Sequence, residues 1–330
     1  MARRGTDSSL RSPGLVGARR TDGGALRQIR RAVLDWYAAE HRDFPWRHTR
    51  DPYAVLVSEV MLQQTQASRV AERFPQFLDR FRSAAELAAA SDGEVLAAWS
   101  GLGYNRRAIA LKRTAARVAE DGWPRSVSDL QRLPGIGPYT ARAIASLAFE
   151  EPVGVVDTNV RRWLVRRFGL DPTGADGAPV RLQALADALA APGGGTADPD
   201  EVAAWTHATM ELGAAVCTAR RPACAACPIA VGCPSQGHAG AVPVPRHAPF
   251  PGSSRAVRGA ILRLIAFAPH HRLPQADLHG AMRGLLDRDP AAATAEALAG
   301  LERDGLVHRQ GAFVRLGARE AREGAATIDP

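Results

Sequence analysis

Apolar positions recur at helical spacing through most of the chain. Residues 26–41 place Leu26, Ile29 and Val33 about one helical turn apart, which predicts an amphipathic helix with one buried face. The same periodicity predicts further helices at about residues 52–66, 68–81, 84–89, 93–100, 104–120, 127–131, 138–149 and 158–168. Apolar and polar residues do not alternate over a useful length before residue 237, so this part is predicted to be all helical.

The pattern changes after a stretch rich in proline. Residues 238–253 predict a linker, and residues 254–317 predict three helices followed by a short hairpin around Gln310 and Gly311. This order favours a winged helix-turn-helix, with a small helical cap that does not contact DNA as the alternative. Residues 1–25 predict a disordered basic arm, with a transit peptide as the alternative, and residues 318–330 a disordered tail.

Composition limits the class of protein. With 46% hydrophobic residues among 330, the chain can bury one or two cores, and its longest apolar runs are too short to span a membrane. A formal net charge of +8 favours a polyanionic partner. We therefore expect a monomeric cytoplasmic protein that associates with the nucleoid. Lys112 is the single lysine, and arginine supplies the remaining positive charge.

All four cysteines lie in one short segment, and gaps of six, two and five residues separate them. Such clustering predicts one centre for a soft metal rather than scattered disulfides. Four thiolates satisfy either a [4Fe-4S] cluster or a zinc ion. Only Cys224 and Cys227 form the close pair typical of zinc sites, so the spacing favours the cluster, and zinc remains the alternative.

Four segments make the chain similar to a known superfamily. Residues 217–233 resemble the iron-sulfur loop of the endonuclease III superfamily of DNA glycosylases, residues 133–141 its helix-hairpin-helix, and residues 156–160 its catalytic aspartate segment. Residues 58–65 resemble the A/G-specific adenine DNA glycosylases within it. The resemblance extends over about residues 26–237.

The resemblance implies an all-α, two-lobed helix-hairpin-helix fold with DNA bound between the lobes, followed here by the small winged-helix-like domain. Residues 48–150 would form a six-helix barrel, and residues 26–47 with 151–237 the lobe that carries the cluster. The implied cofactor is a [4Fe-4S] cluster bound by Cys217, Cys224, Cys227 and Cys233. The implied partner is double-stranded DNA that contains adenine opposite 8-oxoguanine or guanine.

Glu59 is the candidate general acid. It lies within the apolar helical run 54–62, where loss of hydration would raise its pKa and keep a proton available near neutral pH. From the residues alone, a buried glutamate with a structural role is equally consistent. The resemblance implies that this carboxyl group protonates N7 of adenine and makes the base a better leaving group.

Asp157 is the candidate partner carboxylate. It follows Val155 and Val156 and opens a predicted helix, where aspartate is also a preferred N-cap without any catalytic role. The helix dipole is expected to lower its pKa, and the resemblance implies that it stabilises the oxocarbenium-like sugar. Tyr139 stands where the bifunctional members have a Schiff-base lysine, which predicts glycosylase activity without strand cleavage.

The DNA contacts are also predicted. Gly135 and Gly137 form a tight turn whose backbone N–H groups can approach a phosphate. The resemblance implies that three side chains enter the duplex beside the flipped base; an amide or tyrosine in an ordinary surface position is the alternative for each of Gln63, Gln64 and Tyr104. Two arginines of the cysteine loop are candidates for phosphate contacts or for ordinary solvated positions: Arg220 and Arg221.

Two other functions remain open at this point. A thymine or uracil mismatch DNA glycosylase would also use Asp157 and Tyr139, whereas Glu59 favours adenine. An iron-sulfur winged-helix regulator would bind DNA without catalysis and would need no pair of carboxyl groups. Residues 254–317 are too short and too helical for the Nudix-like domain that reads 8-oxoguanine in the best-known adenine glycosylases.

Overall fold

The computed structural model describes residues 22–194, 198–238, 253–283 and 290–318. Fourteen α-helices in these residues determine the architecture: α1 Gly23–Glu40, α2 Pro52–Leu62, α3 Ala67–Arg80, α4 Ala84–Ala89, α5 Asp92–Ala98, α6 Arg106–Asp121, α7 Val127–Leu130, α8 Pro138–Phe149, α9 Thr158–Phe168, α10 Pro179–Ala190, α11 Pro199–Glu211, α12 Ser254–Phe267, α13 Gln275–Arg283 and α14 Pro290–Arg303. Three short strands follow α12: β1 Arg272–Pro274, β2 Val307–Gln310 and β3 Phe313–Leu316. The prediction of a mostly helical chain with a small C-terminal hairpin is confirmed.

Polar residues at the helix starts explain why the helices begin where they do. The Asp51 carboxylate accepts hydrogen bonds from the first backbone N–H groups of α2, and Pro52 occupies the first turn. Ser91 and Glu94 form a reciprocal capping box at the start of α5. Asp22 caps α1, so this helix begins at Gly23 and includes residues that the predicted arm had contained.

Two hydrophobic cores divide the chain before residue 238. The first core includes Leu56, Phe77 and Trp99 and lies among α2–α8, where each of these side chains is at most 1% exposed. The second core includes Trp163 and Leu189 and lies among α1, α9, α10 and α11. Each core buries the apolar stripes that the helical periodicity marks, and this burial holds the helices together.

The C-terminal module, residues 253–283 and 290–318, packs directly against the first core. Val257 and Ile261 of α12 belong to the same buried cluster as the barrel side chains, and α12 lies beside α5. Its sheet is antiparallel in the order β1-β3-β2. The sequence predicted β2 and β3 but not β1, because three residues are too few to show an alternating pattern.

Most of the predicted arm, linker and tail lies outside the described residues. The described residues of these segments are 22–25, His238, Ser253 and Ala318. Gly23 begins α1, and the Ser253 side chain caps α12. None of the described helices is long and apolar enough to cross a membrane.

Candidate active site and metal centre

Glu59 lies on α2 and is 3% exposed. Its Oε2 atom is buried and has no hydrogen-bond partner among the described residues. Burial raises the pKa of Glu59 to about 7, because the charged form loses its hydration; the Tyr139 hydroxyl opposes this shift and the Asp157 charge adds to it. A carboxyl group in this environment retains its proton up to about neutral pH, which is what a general acid requires.

Asp157 caps α9, as its position after the apolar pair predicted. Its Oδ1 accepts a hydrogen bond from the Val160 backbone N–H at 2.6 Å, and its Oδ2 accepts one from Asn159 Nδ2 at 2.8 Å. The predicted direction of its pKa shift was wrong. Desolvation outweighs these hydrogen bonds and the nearby Arg162 charge, so the pKa of Asp157 is raised from its ordinary value.

Tyr139 lies in the first turn of α8 and shares the site with both carboxyl groups. Burial, followed by the charges of Glu59 and Asp157, raises the pKa of Tyr139 well above its ordinary value, so the hydroxyl keeps its proton. The hydroxyl is 3.9 Å from the sulfur of Met210, a residue that packs against both cores. The structure therefore brings these three sequence-predicted residues together at the boundary between the two cores.

The two carboxyl groups differ in the donors that surround them. Asp157 receives N–H groups on both oxygens, which favours its charged form, whereas one oxygen of Glu59 has no partner. Pairs of acids in unequal environments divide the roles of proton donor and charge stabiliser. The arrangement is suited to breaking a glycosidic bond, with Glu59 as the acid and Asp157 as the carboxylate.

The residues expected to enter DNA lie in turns rather than in helices. Helix α2 ends at Leu62 and α6 begins at Arg106, so Gln63, Gln64 and Tyr104 fall just outside the helices that the periodicity predicted for them. Gln64 and Tyr104 have positive φ angles of 56° and 47°. Non-glycine residues in this conformation are held there by the surrounding structure and are concentrated at functional sites.

Arg107 connects these two turns, and the sequence analysis did not identify it. Its guanidinium donates to the carbonyl oxygens of Val60 at 2.6 Å and of Gly103 at 3.1 Å, and lies 5.4 Å from the centre of the Tyr104 ring. Burial lowers the pKa of Arg107 to about 10. No local sequence pattern pointed to Arg107, because the α2 carbonyl oxygens that it contacts, those of Val60 and Met61, lie more than forty positions away in the chain.

The helix-hairpin-helix turn lies between α7 and α8. Gly135 has a φ angle of 76°, and a Cβ atom there would stand 2.8 Å from the Ala110 Cβ, so only glycine fits without displacement. Within the described residues, the backbone N–H groups of Gly135 and Gly137 donate to no protein acceptor. Exposed donors on a tight turn are suited to binding a phosphate.

The four cysteines line one small apolar cavity after α11, together with Arg166, Val216 and Pro222 among others. Desolvation, followed by the charges of Cys217, Cys233 and Cys224, raises the pKa of the Cys227 thiol. The lining contains no carboxylate or imidazole. No three ligand-type side chains in the described ranges converge closely enough for a single metal ion. Four thiols in an apolar cavity without carboxylate or imidazole fit an iron-sulfur cluster.

Arginines of α9 hold the cysteine loop in place. Arg166 donates to the carbonyl oxygens of Thr218 at 2.7 Å and Ala219 at 2.9 Å, and lies 3.5 Å from the Cys217 sulfur. Arg167 donates to the Gly232 carbonyl at 3.2 Å. The helix that presents Asp157 at its start thus carries the loop anchors along its length.

A hydrogen-bonded chain links the loop to the active site, and the sequence analysis missed its two central residues. Arg162 Nε donates to the Cys217 carbonyl at 2.8 Å, Arg162 Nη2 donates to Asn159 Oδ1 at 2.8 Å, and Asn159 donates to Asp157. Gly213 allows the close approach, because a Cβ atom there would lie 2.6 Å from the Asn159 carbonyl oxygen. Arg162 and Asn159 are therefore positioning residues for the Asp157 carboxylate.

Arg220 and Arg221 are exposed on the cysteine loop. The structure places no carboxylate against either side chain in the described part of the chain. Their role in binding phosphates stays a prediction.

The chain is similar to known DNA repair proteins. The family of HhH-GPD superfamily base excision DNA repair proteins matches residues 57–186, and the iron-sulfur binding domain of endonuclease III matches residues 217–233. The adenine DNA glycosylase of Mycolicibacterium smegmatis is 42% identical over 239 residues, which covers 71% of this chain and 78% of that protein. The adenine DNA glycosylase of Rattus norvegicus is 44% identical over 215 residues, covering 61% of this chain but 40% of that longer protein.

A solved structure shares the fold. The structure of a thermostable thymine-DNA glycosylase is 30% identical, with a TM-score of 0.57, and the match covers 63% of this chain and 95% of that one. The match over residues 217–233 identifies the cysteine loop as an iron-sulfur binding domain.

Proposed function

Because the chain belongs to the adenine DNA glycosylase family within the HhH-GPD superfamily of base excision DNA repair proteins, we propose that it removes adenine paired with 8-oxoguanine or guanine from duplex DNA. The observation that carries this proposal is the unpartnered, buried Oε2 atom of Glu59 beside Asp157. A protonated oxygen without a protein acceptor is free to donate to a flipped base.

Each residue has one part in the hydrolysis. The bond between C1′ of the sugar and the base nitrogen breaks with its electrons going to the base, which the Glu59 proton neutralises. The Asp157 carboxylate, oriented by Asn159, stabilises the positive charge on the sugar. Water then supplies the hydroxyl group at C1′, and its released proton returns to the Glu59 carboxylate, which restores the acid, while Asp157 stays a carboxylate. Tyr139 keeps its proton and completes the polar wall of the site.

The cysteine loop acts outside these steps. Cys217, Cys224, Cys227 and Cys233 would hold the iron-sulfur cluster, which when bound would link the loop covalently through its thiolates. The Arg166 and Arg162 contacts would then fix the loop against α9, and α9 presents Asp157. Arg162 and Arg166 would thereby hold the Asp157 carboxylate in position without taking part in the reaction.

The positions of Tyr139 and Lys112 favour base removal without strand cleavage. Tyr139 occupies the position next to Pro138 at which the bifunctional members carry lysine, and a phenol with a raised pKa forms no Schiff base. The single lysine, Lys112, lies on α6 with its Nζ 2.7 Å from Asp92 Oδ1 in an ion pair. We therefore propose that the product is an intact strand with an abasic site.

The likeness to a thymine-DNA glycosylase makes thymine the competing substrate. Duplexes that hold adenine, thymine or uracil opposite guanine, cytosine or 8-oxoguanine would be assayed for base release under single-turnover conditions. Release of adenine opposite 8-oxoguanine or guanine, with breakage only after hot alkali, is expected. Faster release of thymine or uracil, or trapping of a protein–DNA adduct by borohydride, would contradict the proposal.

Release of none of these bases despite tight duplex binding would instead favour a regulator that binds DNA without catalysis. That reading leaves the paired environments of Glu59 and Asp157 without a use. A catalytically silent protein would also be insensitive to Glu59→Gln, whereas an acid catalyst would not.

A further inference from the structure

The C-terminal sheet has one buried face and one face that carries arginine. Val314 and Leu316 of β3 are buried against the rest of the module. Side chains alternate along a strand, so Phe313 and Arg315 lie on the opposite face. Phe313 is 37% exposed there.

The strand register brings basic residues into one row across this face. Arg315 in the central strand pairs with Arg272 on one side and with His308 on the other. In the next row, Phe313 pairs with Pro274 and Gln310. We call the row Arg272, Arg315 and His308 the basic row.

The arginines of the basic row lack carboxylate partners within the described residues. Arg272 lies over the Phe313 ring with its guanidinium 5.1 Å from the ring centre, and Arg315 donates to Gln310 Oε1 at 3.0 Å. Like charges directly opposite each other on neighbouring strands destabilise a sheet. The row therefore holds positive charge that the protein does not neutralise.

Two other arginines of the module pair with carboxylates. Arg258 pairs with Asp304, and Arg309 pairs with Glu302 at 3.2 Å. These two ion pairs distinguish Arg258 and Arg309 from Arg272 and Arg315 of the basic row.

The position of the module indicates which polyanion the basic row meets. Helix α12 packs against α5 of the barrel, and Arg255 donates to the Tyr104 hydroxyl at 3.2 Å. Tyr104 is one of the residues proposed to enter the duplex, so bound DNA passes beside the module. This step rests on the proposed function.

We propose that the basic row binds the phosphate backbone of the duplex that flanks the mispair, as a second DNA contact outside the glycosylase cleft. Arginine is suited to this role because its planar guanidinium donates two hydrogen bonds to one phosphate. The Arg272 guanidinium stacks on the Phe313 ring, which limits the orientations that the guanidinium adopts.

The test compares Arg272→Ala and Arg315→Ala with a matched control, Arg309→Ala, in the full-length protein loaded with its cluster. Arg309 is in the same hairpin and has the same charge, but a carboxylate already engages it. Equilibrium binding would be measured against salt concentration on two duplexes without a mispair, so that no base is released. The short duplex just fills the cleft. The extended duplex is longer by about one helical turn, or 10 base pairs, at each end.

On the extended duplex, Arg272→Ala and Arg315→Ala should each flatten the log–log salt dependence by about 0.9, while Arg309→Ala should leave it unchanged. On the short duplex all four proteins should agree. Slopes on the extended duplex equal to that of the unaltered protein, with thermal unfolding unchanged, would overturn the proposal. Equal losses on both duplexes would also overturn it, since the contact would then lie within the cleft.

The same variants would be tested for binding to single-stranded RNA and to an acidic peptide. Weakened binding to either of these, with duplex binding unaffected, would assign the row to another partner and overturn the proposal. Adenine release by the unaltered protein is measured in parallel. If the expected slope changes occurred but adenine were not released, the proposed function alone would be contradicted. If adenine were released but the slopes did not change, this inference alone would be contradicted.

Discussion

The hydroxyl group of Tyr104 accepts a hydrogen bond from Arg255 Nη1 at 3.2 Å, which joins the C-terminal module to the turn before α6. The tyrosine side chain is 43% exposed, and its backbone is in the left-handed region. Arg107 contacts the same ring from the barrel, 5.4 Å from its centre. Arginines from two parts of the chain thus hold the orientation of one exposed aromatic ring.

The first prediction concerns this contact. Arg255→Ala and Tyr104→Phe should each weaken binding to a duplex with adenine opposite 8-oxoguanine, and the double variant should weaken it less than the sum. The expected coupling is about 1 kcal/mol, the size of one hydrogen bond to a charged group at a partly exposed position. Competition binding on the mispaired duplex measures it.

Pairing Tyr104→Phe with Arg309→Ala provides the control, because Arg309 bonds to Glu302 rather than to the tyrosine. These two changes should be additive. Strict additivity of the Arg255 and Tyr104 changes as well would show that their contact has no part in binding.

The second prediction concerns Asp157→Asn. Asparagine is as good an N-cap as aspartate and can accept the Val160 N–H, so α9 and the thermal unfolding temperature should change little. The neutral amide cannot balance the charge on the sugar, and single-turnover release of adenine should fall about a hundredfold or more. Retention of duplex affinity, measured by fluorescence anisotropy, separates this effect from misfolding. Near-normal release by the variant would remove Asp157 from the mechanism.

The third prediction is the pH dependence of adenine release. Glu59 donates its proton only when protonated, and its pKa is raised to about 7 by burial. Release should therefore be favoured below pH 7 and should decline as the pH rises through that value. Single-turnover rates of the unaltered protein and of Glu59→Gln across this range test it. A decline of the same shape in the glutamine variant would assign the titration to another group.

The fourth prediction is a gain of stability from Glu59→Gln at alkaline pH. The pKa of Glu59 rises from 4.5 to about 7 on folding. The contribution of protonated Glu59 to the free energy of unfolding is therefore complete below pH 4.5 and is lost as the pH rises to about 7. A shift of this size corresponds to about 3 kcal/mol against the charged form. The variant should therefore unfold at higher denaturant concentration than the unaltered protein at pH of about 8.5, with a smaller difference near pH 5.

An equal difference between the two proteins at both pH values would contradict a buried, titrating Glu59. Asp157→Asn is a useful comparison, because Asp157 keeps its hydrogen-bond donors when charged. Loss of activity together with increased stability is expected where a protein holds a charged group in an unfavourable environment for catalysis.

The fifth prediction concerns the metal centre. Protein prepared without oxygen should contain about four iron atoms per chain and little zinc, because the four thiols line one cavity and residues 217–233 match an iron-sulfur binding domain. Cys224→Ser should lower the iron content and the thermal unfolding temperature, and weaken DNA binding before it alters the reaction itself. Elemental analysis that finds one zinc atom per chain and no iron would contradict the cluster assignment.

Local sequence patterns were sufficient for most of the helices and for some of the site, but α10 and α11 were not among the predicted segments. The starts of α2 and α9 are encoded by Asp51 and Asp157, which satisfy backbone N–H groups a few residues away. The apolar run around Glu59 predicted its burial and the direction of its pKa shift. Strand β1 was missed because three residues have too little periodicity to detect.

The chemical character of the site residues and the contacts between distant residues have different origins. The sequence by itself determined which residues can donate protons, cap helices or bind a soft metal, because these properties belong to the side chain and its near neighbours. Only the tertiary structure decided that desolvation outweighs the hydrogen bonds on Asp157, and that Arg107 and Arg162 reach carbonyl oxygens on other elements. It also decided which arginines of the module remain unpaired: Arg309 has Glu302 beside it, whereas Arg272 faces Arg315. Burial and ion pairing depend on atoms that are distant in the chain, and a local pattern contains no information about them.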